Sequence, residues 1–483
     1  MRKLSKENWI ILAIIVFGFL IRLAFTSNVP WWDESVYINL GYDLSNNPLD
    51  YSVYNHGWSD FIPSGKDENY AWPKMGFRPP LLPYILAIFY ALKLNFIIKL
   101  LLPLIGALTI FLVYLLGKEM FNKKVGIISA AIICLMPIHV IFSGIVLNDV
   151  FVTFFITLSF LFFWKGFEKG NEKYKILFGI ILGIGLLTRY TMLWIIPIFP
   201  VYLWIKNKSL SFLKDKYLWY ALIGFFVVLI PWFIYGYFEY GNILGGFLHG
   251  FKGAAYWGGI QSWSFFFQNH WYIFSISGIL FVLSLIWIFC TKNYKKREIY
   301  ILLIWSLFYL AMLIIMPHKE ERFIIPIIPT ISLLSGLFIS QFKKYQKLIL
   351  FGIVLILLFS ITLQFFYTYK SSYTETNSCF LEGNKFLKNM EKDALIITDE
   401  SPIVYYYTKK ETRFYPNPWS SQSLRNVVES YYEGREVYIF FTDYDMPLNN
   451  EKNIQIKEDL DANFKKAFEC YKNEAFSIIY IYD

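Results

Sequence analysis

Apolar residues gather into long runs over the first three quarters of this chain, and near Tyr369 the pattern breaks into short alternating segments. The first run, Trp9 to Phe25, follows a basic start at Arg2, Lys3 and Lys6. It contains Arg22 and lacks a small-residue cleavage site, so it predicts an uncleaved span rather than a signal peptide. Further runs lie near 97–116, 125–143, 150–166, 174–188, 191–206, 217–238, 271–290, 299–316, 323–341 and 348–367, which predicts eleven spans. Some are shorter than the roughly 20 residues a straight span needs. Pro79 to Leu92 opens on Pro-Pro and is apolar for only 14 residues, the length class of interfacial or re-entrant segments, and is set apart as a juxtamembrane helix over 79–93.

Beyond residue 370 the pattern predicts a small soluble α/β domain. Ala394 to Thr398 and Glu436 to Phe441 are short β-type runs, Leu460 to Tyr471 has helical spacing, and Phe476 to Tyr482 reads as a terminal strand. No glycine-rich phosphate loop marks this domain as catalytic.

Composition sharpens the class. Of 483 residues, 56% are hydrophobic and only 17% charged, against roughly 25% charged in soluble domains. An ordinary soluble enzyme is excluded. The net charge of +9 divides unevenly: from Lys370 onward there are 14 basic and 19 acidic residues, and before it 31 and 17. The basic residues sit in short loops between apolar runs, which reports membrane topology and not a nucleic-acid surface. With the N-terminus cytoplasmic, eleven spans place 21 of those 31 basic groups inside and the acidic tail outside, in a multi-pass plasma-membrane protein. The expected organisation is a transmembrane domain over 1–369, with a first extracytoplasmic loop over 27–78, and an extracytoplasmic domain over 370–483. Cys379 and Cys470 both fall in the tail, compatible with a disulfide or with two free thiols. No metal-type spacing is present.

On that topology the uncommon charges fall on one side. Asp33 and Glu34 follow the first span, Arg78 ends the first loop, Asp149 stands at the outer end of another span, and Arg189 lies between two short ones. His318, Lys319, Glu320, Glu321 and Arg322 fill a tight outer turn. Ionisable groups at a membrane boundary are functional candidates. Each also has a structural reading: Asp149 as a helix N-cap, Asp33 and Glu34 as a solvated loop start, Glu320 and Glu321 as complements of the following helix dipole, Arg78 and Arg189 as snorkelling side chains. Trp31 and Trp32 fit an interfacial aromatic belt. The turn at His318 resists such a reading, since a solvated charge run has no need to be squeezed between two spans.

Carboxylates and guanidinium groups facing one another at the outer surface suit transfer of a sugar from a lipid phosphate. The phosphate is an adequate leaving group without a general acid; cations stabilise the charge that builds on it, and one carboxylate deprotonates the acceptor hydroxyl. Direct displacement inverts the anomeric centre.

Over about residues 8 to 370 the sequence resembles the polytopic glycosyltransferases of the C-type fold that use polyprenyl-phosphate sugars, namely protein O-mannosyltransferases and the aminoarabinose transferases of lipid A. The resemblance rests on Asp33-Glu34-Ser35-Val36-Tyr37, Arg78-Pro79-Pro80-Leu81, Leu147-Asn148-Asp149 and Leu187-Thr188-Arg189-Tyr190. His318-Lys319-Glu320-Glu321-Arg322-Phe323, followed by Pro326 and Pro329, is similar to the signature of dolichyl-phosphate-mannose-dependent mannosyltransferases of lipid-linked glycan assembly. The resemblance implies an α-helical polytopic membrane protein of about eleven transmembrane helices with a small C-terminal α/β domain. It implies Asp33 as catalytic base, with Glu34 as the alternative, Asp149 on the acceptor side, and Arg78 at the lipid phosphate. Arg189, His318, Lys319, Glu320 and Arg322 complete the expected binding set. The implied partners are a polyprenyl-phosphate-linked sugar, a glycan, lipid or protein acceptor, and membrane lipids; a divalent metal is compatible but not required. Trp31-Trp32-Asp33 matches the Trp-Trp-Asp motif of oligosaccharyltransferases, but that motif belongs to their large soluble domain and continues differently. A transporter or flippase of lipid-linked sugars is the alternative from another class, although repeated halves and mid-membrane charges are not evident.

Overall fold

A computed structural model describes residues 5–27, 29–53, 55, 78–256, 260–372, 375–416, 419–431, 434–444, 450–472 and 475–482. The chain divides into two compact units. The first comprises Met1–Thr26, Gly76–Leu82 and Leu94–Phe365, and the second Ser27–Met75, Pro83–Lys93 and Phe366–Asp483.

The first unit is a helical bundle, and each of the eleven apolar runs contains helix. Among the described residues six helices are long and apolar enough to cross a membrane: Asn95–Met120, Asn148–Glu168, Lys216–Tyr240, Arg297–Ile315, Glu321–Ile339 and Gln346–Tyr367. A seventh span is formed if Lys123–Cys134 and Pro137–Ser143, bent by 63°, are taken together. The other expected spans are shorter or more polar. Lys6–Leu23 includes Lys6, Glu7 and Arg22, and Glu172–Leu186 and Ile276–Cys290 have 15 residues each. The run over 191–206 breaks at Pro197, leaving the turn Tyr190–Trp194 and the helix Ile198–Asn207.

The bend after Cys134 has an identifiable cause. Pro137 carries no N–H, so the carbonyl of Ile133 loses its helical partner. Arg22, fully buried, repairs the break: its guanidinium donates to Ile133 O (3.3 Å), Cys134 O (3.2 Å), Gly18 O (2.8 Å) and Ser143 Oγ (3.2 Å), and lies 2.8 Å from His139 Nδ1. Gly106 makes room for it, since a Cβ there would stand 2.8 Å from Arg22 Nε. Elsewhere the helices Glu172–Leu186 and Lys216–Tyr240 meet at Gly179, where a Cβ would lie 1.8 Å from the carbonyl oxygen of Ala221.

The second unit holds a five-stranded sheet: β1 (Leu395–Ile397), β2 (Thr412–Arg413), β3 (Val437–Thr442), β4 (Lys465–Lys472) and β5 (Ala475–Ile481), in the order β2-β1-β3-β5-β4. β1 is parallel to β2 and β3, whereas β5 is antiparallel to both β3 and β4. Alternation along the strands builds two apolar layers. Leu395, Ile397, Ile439 and Phe441 pack with Leu424 and Val428 of helix Ser421–Tyr431 and Ile456 and Leu460 of helix Glu451–Asn463. Ile396 and Phe440 face Phe380 and Leu387 of helix Glu375–Lys388 and Ile403 and Val404 of helix Ser401–Thr408. Cys379 and Cys470 form a disulfide that ties helix Glu375–Lys388 to β4.

One sequence expectation is corrected here. Leu460 to Tyr471 is not a helix: the helix runs from Glu451 to Asn463, capped by Asn450, and Lys465–Lys472 is an edge strand. An irregularity between Lys466 and Phe468 resets the strand's alternation, so its apolar positions fall at a spacing that imitates a helical stripe.

Candidate active site

In the first unit, residues far apart in sequence are drawn into one charged array. Asp149 sits in the first turn of the helix beginning at Asn148, whose N-cap is Leu147. It is 2% exposed and pairs with Arg189 through Oδ1, while its Oδ2 lies 4.0 Å from Arg322 Nη1. Arg189 has extended backbone at the start of the Tyr190–Trp194 turn, where helix Glu172–Leu186 has ended. Arg322, at the start of the Glu321–Ile327 turn, also pairs with Glu320 (Nε to Oε2 2.7 Å, Nη2 to Oε1 3.0 Å). His318 Nε2 stands 3.1 Å from Glu320 Oε1. The ring of Phe323 carries both guanidinium groups, with Arg189 Cζ at 4.8 Å and Arg322 Cζ at 5.7 Å from its centroid.

Lys319 is fixed differently. Its backbone N–H donates to Gln261 Oε1 (2.7 Å), its ammonium donates to the carbonyls of Gln261 and Met316, and it is only 4% exposed. Gln261 N in turn donates to Pro317 O at 3.0 Å. Arg78 is half-buried, and its segment is tied to the same region where Leu81 N donates to Leu187 O at 2.9 Å.

Asp33 and Glu34 belong to the second unit, in the first turn of helix Trp32–Asn46. Their roles in the fold differ. Glu34 is buried and accepts from the backbone N–H of Trp31 at 3.0 Å, closing the helix start, whereas Asp33 is only half-buried. Acidic groups at this end suit the helix dipole.

The structure therefore brings together Asp149, Arg189, His318, Glu320 and Arg322, sets Lys319 in a backbone latch, and ties the Arg78 segment to the turn before Arg189. Gln261 and Phe323 were not singled out in the sequence. Phe323 stood inside the His318 motif, but nothing marked Gln261, which acts through a contact 58 residues distant. Among the described residues no three His, Cys, Asp or Glu side chains are grouped to hold a metal ion.

Chemically, two guanidinium groups (Arg189, Arg322) face two carboxylates (Asp149, Glu320) at buried or partly buried positions, while the Lys319 ammonium is held by backbone carbonyls. Guanidinium groups oriented by carboxylates and an aromatic ring are prepared for bidentate contact with phosphate oxygens.

Residues 77–235, about a third of the chain, match the family model described as dolichyl-phosphate-mannose-protein mannosyltransferase. Over 109 residues the chain is 28% identical to the undecaprenyl phosphate-alpha-4-amino-4-deoxy-L-arabinose arabinosyl transferase of Wigglesworthia glossinidia brevipalpis, an alignment spanning 21% of this chain and 19% of that relative. The crystal structure of ArnT from Cupriavidus metallidurans bound to undecaprenyl phosphate superimposes with a TM-score of 0.72 at 12% identity, covering 99% of this chain and 98% of that one. The oligosaccharyltransferase of Archaeoglobus fulgidus, tethered to an acceptor peptide, gives 0.58 at 14% identity, covering 98% and 74%. The chain has the C-type glycosyltransferase fold of a multi-pass membrane protein, as the motifs implied.

Proposed function

We propose that this chain is an inverting glycosyltransferase that moves a monosaccharide, mannose being the first candidate, from a polyprenyl-phosphate donor to an acceptor hydroxyl on the extracytoplasmic membrane face. The observation that carries this reading is the array of Asp149, Arg189, Glu320 and Arg322 in the bundle, with both guanidinium groups against Phe323. In this role Arg189, Arg322 and Arg78 receive the donor phosphate and stabilise the charge that grows on it as the sugar leaves. Asp149 and Glu320 keep the two guanidinium groups oriented, and His318 and Lys319 hold the turn that presents Arg322. Asp33 takes the proton of the attacking hydroxyl. Glu34 is the weaker candidate because its carboxylate closes a helix start. The N-terminus is cytoplasmic and the tail, with its disulfide, lies on the oxidising side.

The reading is tested by incubating purified protein with undecaprenyl-phosphate and dolichyl-phosphate monosaccharides and measuring release of the lipid phosphate. Asp33→Asn is expected to abolish turnover with donor binding retained, and Arg189→Ala or Arg322→Ala to weaken donor binding. Wild-type rates in all three variants would refute the assigned roles.

A further inference from the structure

We infer that Lys409 is a positioning residue, which from the end of helix Ser401–Thr408 fixes the first-loop helix Trp32–Asn46 and thereby Asp33. The inference rests on the reading of Asp33 as base. Both helices lie in the second unit.

Asn39, Tyr42 and Asp43 stand at i, i+3 and i+4, on one face of helix Trp32–Asn46. That face is bonded to the tail at each position. Asn39 is fully buried and uses both ends of its amide: Nδ2 donates to Pro402 O (2.7 Å), and Oδ1 accepts from Lys409 Nζ (3.1 Å). The Tyr405 hydroxyl donates to Asp43 Oδ1 at 2.6 Å. The Lys409 ammonium lies 4.3 Å from the ring centroid of Tyr42, 5.2 Å from that of Tyr405 and 5.4 Å from that of Tyr406. Tyr90, on helix Leu81–Ala91, meets Tyr42 edge-on at 5.4 Å.

Two features make Lys409 a poor choice for stability alone. Its backbone is left-handed (φ +54°), a conformation glycine takes at lower cost at a helix end. Burial pushes its pKa down to about 8, with the Asp43 carboxylate pulling the other way, so its charged form is disfavoured there relative to water. A cationic side chain kept at such a position is the kind of local conflict that marks a functional site. Displacement of a reacting group by about 1 Å lowers a rate by as much as a hundredfold, which is the service a rigid clamp performs for Asp33.

The test uses the full-length protein and compares wild type with Lys409→Met, Lys409→Arg and Asp33→Asn. Hydrogen exchange is read over Ser35–Asn39, turnover as undecaprenyl phosphate released from undecaprenyl-phosphate mannose and undecaprenyl-phosphate aminoarabinose, and donor-site binding with undecaprenyl phosphate. Lys409→Met is expected to speed exchange of those amides about tenfold or more and to lower kcat roughly ten- to hundredfold, with undecaprenyl phosphate affinity unchanged and Tm not reduced. Lys409→Arg should restore most of both. Unchanged exchange in Lys409→Met, or a fall in Tm that accounts for its losses, overturns the inference. If Asp33→Asn is inactive while Lys409→Met behaves as wild type, the base assignment stands and the clamp falls. If Asp33→Asn turns over normally, the base assignment fails, and the exchange data judge the clamp by themselves.

Discussion

Replacing Arg22 with methionine removes a side chain that bridges the break between helices Lys123–Cys134 and Pro137–Ser143. The guanidinium makes four hydrogen bonds and approaches His139 Nδ1, all within the bundle. Of its acceptors, Gly18 O belongs to the regular helix Lys6–Leu23, and Ile133 O keeps a long contact from Met136 N at 3.3 Å. Cys134 O and His139 Nδ1 lose the partner shown for them. A buried acceptor left without a partner costs about 1–3 kcal/mol, so the two together cost about 2–6 kcal/mol. The methionine fills most of the vacated volume, and removal of a buried charge returns part of its desolvation cost, which brings the expected loss to about 2–4 kcal/mol. Thermal unfolding of detergent-solubilised protein, followed by loss of the monodisperse peak, measures it. Arg22→Lys, a point charge with no planar fork, should fall between the two. A Tm for Arg22→Met within a degree of wild type would show that the broken helix does not depend on Arg22.

Three further outcomes follow from the geometry. Gly179→Ala places a methyl group within 1.8 Å of Ala221 O and must push two helices apart, costing about 1–3 kcal/mol and lowering Tm in the same assay. The Cys379–Cys470 bridge closes a span of 91 residues, so Cys379→Ser with Cys470→Ser should destabilise the second unit by about 3–5 kcal/mol, read as earlier proteolysis of the tail on heating, with no effect of added reductant on the double variant. Because burial holds Lys409 at about 8 against an ordinary 10.5, the unfolded chain binds more protons between those values. Stability of the second unit should therefore rise with pH from about 8 to 10.5, by up to about 3 kcal/mol, and be insensitive to this group below pH 8. Lys409→Met should remove that slope from pH-dependent melting curves; a slope that persists would assign it to another group.

The bundle's helices, three of the strands and the charged turn at His318 are legible in the sequence because each is written in neighbouring residues, as an apolar run, a period of two, or charges between spans. Where two periods overlap, neighbours mislead: Phe464, Phe468 and Tyr471 are spaced like a helix, yet Phe464 ends the helix Glu451–Asn463, and only pairing of Lys465–Lys472 with β5 shows that an irregular edge strand carries the other two. Glu320 finds its partners within its own turn, but the partners of Asp149 and Asn39, and most of those of Arg22, lie beyond any local pattern. Asp149 names no partner until the fold returns Arg189 to it across 40 residues, and Asn39 meets Lys409 across 370. The carbonyls that Arg22 bonds, at Ile133 and Cys134, lie more than 100 residues away, beside a bend made by Pro137. Membrane embedding and element type follow from side-chain hydrophobicity, a property each residue has alone. The pairing of buried polar groups is decided by tertiary structure, because a charge removed from water is tolerated only where the fold supplies its counterpart.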